Sequence, residues 1–139
     1  MSLYSIVIDT NVLFSALRSQ LGASNQLLQL VGTGLFDIHL SVPVFLEYEA
    51  LLRRQLPHLF VTQENIEELL NYLGGIANIH EVFFLWRPTL RDPDDEMLLE
   101  LAVTGRSNFI VTYNVRDFEE SSLFGIQAIT PKEFLKILG

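Results

Sequence analysis

Tyr4-Ser5-Ile6-Val7-Ile8-Asp9-Thr10-Asn11 is a short apolar run that stops abruptly at a carboxylate, a hydroxyl and an amide. Its β-branched content and its length of about five residues predict a strand buried on both faces, the habit of a central parallel strand. Asp9 then stands at the carboxyl end of that strand. In open α/β sheets ligands bind at that end, in a crevice lined by loops and helix N-termini. An acid placed there needs a reason.

Working outward, Asn11 to Leu17 predicts a short helix capped by Thr10 or Asn11, and Ser24 to Val31 a second one closed by Gly32-Thr33-Gly34. Phe36-Asp37-Ile38-His39-Leu40 alternates and predicts strand two. Pro43 suits the first turn of a helix running from Val44 to about Gln55, ahead of Pro57. Glu64 to Leu73 predicts another helix, stopped by Gly74-Gly75, and Glu81 to Trp86 an aromatic and β-branched strand three. Asp92 as N-cap and Pro93 at the first helical position then open a helix through Thr104, ended by Gly105. Asn108 to Thr112 is a further apolar strand ending in polar residues. Asp117 to Leu123 predicts a helical turn, Ile126 to Ile129 a fifth strand, and Thr130-Pro131 the cap of a last helix to Leu138. Strands alternating with helices predict a mainly parallel sheet of about five strands in a three-layer α/β/α sandwich, as one domain over residues 1–139.

Composition narrows the chemistry. The chain has 139 residues, nearly half of them hydrophobic, and no cysteine, which excludes disulfides, thiolate zinc sites and a thiol nucleophile. No signal peptide and no membrane helix are legible, so the cytoplasm is the expected compartment. A net charge of −8 argues at first against nucleic acid, which usually meets a basic footprint. Net charge describes the long-range field and not one cleft, and a bound divalent cation reverses the sign of an acidic site. Arg53-Arg54, Arg87/Arg91 and Arg106/Arg116 fall near one another and are available to flank such a site. His39, His58 and His80 are scattered without ligand spacing, and no glycine pattern matches a phosphate-binding loop.

Acids recur at element ends: Asp9 after strand one, Glu47 early in the helix after strand two, Asp95 at the start of the helix after strand three, and Asp117 after strand four. On a helical wheel Asp95 lies near the centre of the stripe formed by Leu98, Leu99, Leu101 and Ala102, Asp94 toward its edge, and Glu96 points away. Glu47 and Glu49 flank opposite edges of a broad apolar arc, so periodicity does not choose between them. Taken singly, each acid has a structural explanation; Asp92 caps a helix and Asp95 favours its macrodipole. Gathered together, carboxylates repel one another unless a hard cation such as Mg²⁺ or Mn²⁺ offsets the repulsion. Such ions activate water, orient a phosphodiester and stabilise the leaving oxygen, the chemistry of nucleases.

With these residues in view the sequence resembles the PIN-domain family of metal-dependent ribonucleases, which includes the VapC-type toxins of bacterial toxin–antitoxin pairs. The resemblance runs from Val7-Ile8-Asp9-Thr10-Asn11 through Ser41-Val42-Pro43-Val44-Phe45-Leu46-Glu47 and the segment Asp92 to Ala102 to Phe109–Asn114 and Asp117-Phe118. It implies a Rossmann-like sheet, an acidic cleft holding Mg²⁺ or Mn²⁺, single-stranded RNA as substrate, a small antitoxin protein as partner, and a homodimer. By position, Asp9 matches the first metal ligand, Glu47 the second acid and Asp95 the third, which selects Glu47 over Glu49 and Asp95 over Asp94. Thr112 and Asn11 match supporting polar residues. Asn114 departs from the pattern, since many PIN domains carry an aspartate there; Asp117 is the substitute available. One alternative follows from that departure, a PIN module that binds RNA or a protein partner without cutting; a second is a PIN nuclease acting in RNA maturation or on structured DNA, with no antitoxin.

Overall fold

A computed structural model describes residues 4–82 and 93–139. Among these, β1 (Tyr4–Ile8), β2 (Phe36–Leu40), β3 (Asn78–Ile79), β4 (Phe109–Val111) and β5 (Gln127–Ile129) form one sheet in the order β3-β2-β1-β4-β5. Every pairing is parallel. The helices are α1 (Thr10–Arg18), α2 (Ala23–Leu30), α3 (Val42–Arg54), α4 (Gln63–Ile76), α5 (Pro93–Thr104) and α6 (Pro131–Leu138), with 3-10 segments at Leu56–His58 and Val115–Phe124. Consecutive strand residues point to opposite faces, and Ile6, Val7 and Ile8 are all buried, so both faces of β1 are covered. That is the central strand the opening run predicted.

The two ends of the sheet are built differently. At the amino end, Phe134 of α6 packs against Tyr4, Phe36 and Phe109, one ring from each of three adjacent strands, at centroid distances of 6.2, 5.2 and 5.7 Å. Register puts these rings together, since Tyr4 pairs with Phe36 and Ile6 with Phe109. Aromatic packing closes that end, and polar residues are left for the other. The strand order also reverses between β1 and β4: the chain builds outward through β2 and β3, then returns to the far side of β1. Crevices in open α/β sheets form at such a reversal, and Asp9 and Thr112 are the next residues after β1 and β4.

Several boundaries differ from the sequence expectation. Strand three was expected at Glu81–Trp86; the strand that pairs with β2 is Asn78–Ile79, Glu81 and Val82 belong to no element, and Phe83 onward lies outside the described residues. The N-cap expected at Asp92 lies outside them too. α4 continues through Gly74-Gly75 to Ile76, because pairing with β2, and not glycine, redirects the chain. α1 begins at Thr10, so Asp9 itself occupies the N-cap position that was assigned to Thr10 or Asn11. Capping boxes at Thr62/Asn65 and Thr130/Glu133 fix the starts of α4 and α6.

Gly105 ends α5 as expected, but for a different reason. The left-handed residue is Arg106, at φ 54°, and Ser107 N–H returns to the Ala102 carbonyl at 2.9 Å. Gly105 is required instead by proximity: a Cβ there would stand 2.8 Å from the His39 ring. His39 is buried, and its Nδ1 lies 2.8 Å from Nε2 of His80, so the structure pairs two histidines that the sequence left scattered. Burial holds the His39 imidazole below its usual value, the neighbouring His80 lowers it further, and Asp37 opposes both.

A histidine with a depressed folded pKa is protonated first in the unfolded chain, so its contribution to stability is present above about pH 6.5 and is lost as pH falls. The melting temperature of the wild type is therefore expected to drop more between pH 7.5 and 5.5 than that of His39→Asn, whose amide can occupy the Nδ1 position. Parallel curves for the two proteins would remove His39 from the account.

Candidate functional site

The site is assembled around the ends of β1 and β4. Asp9 N–H donates to the Val111 carbonyl at 2.9 Å, continuing the β1–β4 ladder by one residue, and Thr112 N–H donates to the Ile129 carbonyl at 2.8 Å. These bonds fix both backbones before any side chain is considered. The Thr112 hydroxyl donates to Asp9 Oδ2 at 2.7 Å and accepts from the Asn114 N–H at 2.9 Å. One hydroxyl thus joins the two sides of the crevice. Thr112 is fully buried and Asp9 is 5% exposed.

Burial pushes the Asp9 carboxyl above the ordinary carboxylate range. The Thr112 hydrogen bond and the backbone N–H groups of Asn11 and Thr10 work against that rise, although Asp9 makes no helix-capping hydrogen bond; the negative charge of Asp117 reinforces it. Behind Asp9, the buried Tyr48 hydroxyl donates to the carbonyl of Ile8. Burial, and then the charge of Asp9, raise its phenol well above the normal range, so it stays protonated and remains a donor.

α3 carries Tyr48 on its inner face with Val44 and Leu52, the buried positions of a four-residue spacing. Its neighbouring face presents Val44, Glu47, Leu51 and Arg54 to a cleft of about 220 Å³. Glu49 lies on neither, and instead pairs with Arg53 at 3.3 Å. The cleft is also lined by Asp9, Thr10 and Asn11, by Asp94, Asp95, Met97 and Leu98 of α5, and by Asn114 and Asp117. All four expected acids therefore meet in one place, with Asp94 as a fifth. Thr112 supports the cleft from beneath, through Asp9.

Two expectations change. Asp94 lines the cleft beside Asp95, so the structure does not separate them as the helical wheel did. Glu96, expected to point away from the apolar stripe, is 8% exposed. α5 packs against β1, β2, β4, α3 and the segment Val115–Phe124, and Leu98, Leu99, Leu101 and Ala102 are all buried; in its first turn Glu96 is drawn into that packing while Asp94 stays exposed. Asn114 contributes through its backbone: its N–H meets Thr112, and its carbonyl accepts the Asp117 N–H at 2.9 Å, which holds Asp117 at the start of the 3-10 segment.

Among the described residues the donors around the cleft are carboxylate oxygens, with amide and hydroxyl oxygens from Asn11, Asn114 and Thr10 and no imidazole. That set suits a hard divalent cation and not a soft one. Among the described residues no three of His, Cys, Asp and Glu stand close enough together, as placed, to hold a metal ion.

A sequence model described as the PIN domain matches residues 5–116, most of the chain. The chain belongs to the PIN-domain family. PIN domains are generally nucleases that use divalent metal ions. The match includes Asp9, Glu47, Asp95, Thr112 and Asn114 and ends one residue before Asp117. Among curated proteins none matches significantly by sequence. Among solved structures, this PIN domain is similar to VapBC2 from Rickettsia felis, crystallised on a DNA fragment from its promoter. That likeness has a TM-score of 0.57 and 13% identity over 89% of this chain and 98% of that one, and it shows a shared fold.

The sequence did not single out Tyr48 as part of the site's frame. Its signal was the spacing Val44, Tyr48, Leu52, which reads as core and carries no chemistry until the Ile8 carbonyl is seen beside it. Among the described residues no helix is long and apolar enough to cross a membrane.

Proposed function

We propose that this chain is a single PIN domain acting as a Mg²⁺- or Mn²⁺-dependent endoribonuclease on single-stranded RNA, and that it is the toxin of a toxin–antitoxin pair. The observation that carries the nuclease reading is the buried Asp9–Thr112 pair at the reversal of the sheet, facing Glu47, Asp95 and Asp117 across one cleft. In this reading Asp9, Asp95 and Asp117 hold the metal and Glu47 serves as the second acid. When bound, a divalent ion supplies an activated water and charge stabilisation at the phosphodiester. The chain's own part is positional. Thr112 holds the Asp9 carboxylate in one orientation, Asn114 holds Thr112 and Asp117 by its backbone, and Asn11 lines the wall at the start of α1. Burial and the proximity of Asp117 make the charged form of Asp9 unfavourable in the free protein, and a cation relieves that.

Fold likeness to a VapBC2 assembly supports the toxin role with a small antitoxin as partner; a homodimer and the cytoplasm complete the reading on the family resemblance alone. Asp117 replaces the aspartate that Asn114 does not provide. Cleavage of a fluorogenic single-stranded RNA tests the reading. With Mn²⁺ the wild type is expected to cut, excess chelator to stop it, and Asp117→Asn to lose about a hundredfold, the scale for a positioned electrostatic group. Mn²⁺ should also raise the melting temperature of the wild type by mass action. Cutting that survives chelation, or no cutting with Mn²⁺, overturns the assignment.

A further inference from the structure

An acidic cleft on a protein of net charge −8 meets a polyanion poorly, even when a cation sits among the acids. Among the described residues one basic side chain lines that cleft, Arg54. It follows Glu47 by seven residues on the same face of α3, with Leu51 between them, and so lies about 10 Å further along the helix. Its neighbour Arg53 is engaged: its Nη2 lies 3.3 Å from Glu49 and 3.9 Å from Glu67. Arg54 forms no ion pair with any acid among the described residues, although five of them share its cleft. The helix therefore divides an adjacent pair of arginines into one that ties α3 to α4 and one that faces the site uncommitted.

Resting on the ribonuclease reading above, we propose that Arg54 is the positioning residue for substrate, binding the backbone phosphate next to the scissile one. Its distance from Glu47 keeps it from the phosphate placed among the carboxylates. Its planar fork of N–H donors suits two oxygens of a phosphodiester, which the rigid geometry of guanidinium favours over an ammonium. Such a contact is independent of base identity, so it sets register along the strand and not sequence choice. Acids at one end of the α3 face and a guanidinium at the other define a direction in which RNA lies across the cleft.

The test compares wild type, Arg54→Ala, Arg54→Lys and Arg53→Ala on one single-stranded RNA with Mn²⁺. Both arginines are exposed, so the variants should keep the wild-type melting curve. Arg54→Ala is expected to raise KM about tenfold with kcat within about twofold, and to flatten the slope of log(kcat/KM) against log[salt] by about 0.7, the loss of one phosphate contact on a single strand. Arg54→Lys should fall between, and Arg53→Ala should leave both quantities unchanged. An unchanged KM in Arg54→Ala, a loss in kcat instead, or an equal effect from Arg53→Ala overturns the proposal. If the wild type does not cut, the ribonuclease reading fails, and fluorescence anisotropy with the same RNA decides the Arg54 question alone. Tenfold weaker binding by Arg54→Ala but not Arg53→Ala then supports it, and equal binding, or none by the wild type, overturns it.

Discussion

Asp9→Asn is expected to end metal-dependent cleavage while making the protein more stable. Both effects come from the same burial. Ionising the wild-type carboxyl puts a charge into a site that is 5% exposed, with Asp117 adding like charge. A group whose folded pKa is raised contributes its stability below the unfolded value near 3.8 and loses it as pH rises through the folded value, so at neutral pH Asp9 is a cost. An amide removes the charge and can still accept the Thr112 hydroxyl through its own oxygen. The gain is of the order of 1 kcal/mol, the scale on which relieving a functional site stabilises a domain. At about 2.1 cal/mol/K per residue over this chain, that is roughly 3 °C in melting temperature. Cleavage should fall at least about a hundredfold, as when a preorganised electrostatic group is lost. Calorimetry and the cleavage assay, run on one preparation, check both halves. A lower melting temperature would show that Asp9 stabilises the fold; full activity would put the chemistry elsewhere.

Thr112→Val should show the largest loss of stability. Valine keeps the shape and removes the hydroxyl, so Asp9 Oδ2 loses its 2.7 Å donor and the Asn114 N–H loses its acceptor. Leaving such partners unsatisfied costs about 2–4 kcal/mol in total, because a buried carboxyl and a part-buried N–H lose their partner at once. The corresponding fall in melting temperature is roughly 10 °C. Thr112→Ser retains the hydroxyl and should recover most of it. In an Asp9→Asn background Thr112→Val should cost less, since the partner can no longer ionise, and a double-mutant cycle reads that difference as coupling. Additive effects would mean that the hydroxyl does not act through Asp9.

Much of this was legible in the chain because strand and helix periodicities are local. Ile6-Val7-Ile8 announced a two-sided strand, and Thr130-Pro131 announced the start of α6, each within a few residues. What escaped depends on register between distant segments. No local pattern says that β4 lies beside β1, and that adjacency turns Asp9 and Thr112 into a pair. The histidines were missed for the same reason: His39 and His80 are 41 positions apart and meet because β3 pairs with β2. Gly105 shows a subtler limit. Its sequence context reads as a helix stop, whereas the structure uses its missing side chain as space for a ring, and Arg106 takes the left-handed conformation. Glu49 and Glu47 were inseparable on a wheel because their difference lies in the partners outside α3: Arg53 for one, the cleft for the other.

The hydrogen bond from Tyr48 to the Ile8 carbonyl joins the residue after Glu47 to the residue before Asp9. Two acids from different elements are thereby clamped at their shoulders, by a contact that neither carboxylate makes. The work of crowding negative charge into one notch is done once, when the chain folds, and is not repeated at each encounter with a ligand. What arrives at the cleft meets two elements already fixed against each other, so only the side chains are left to close on it.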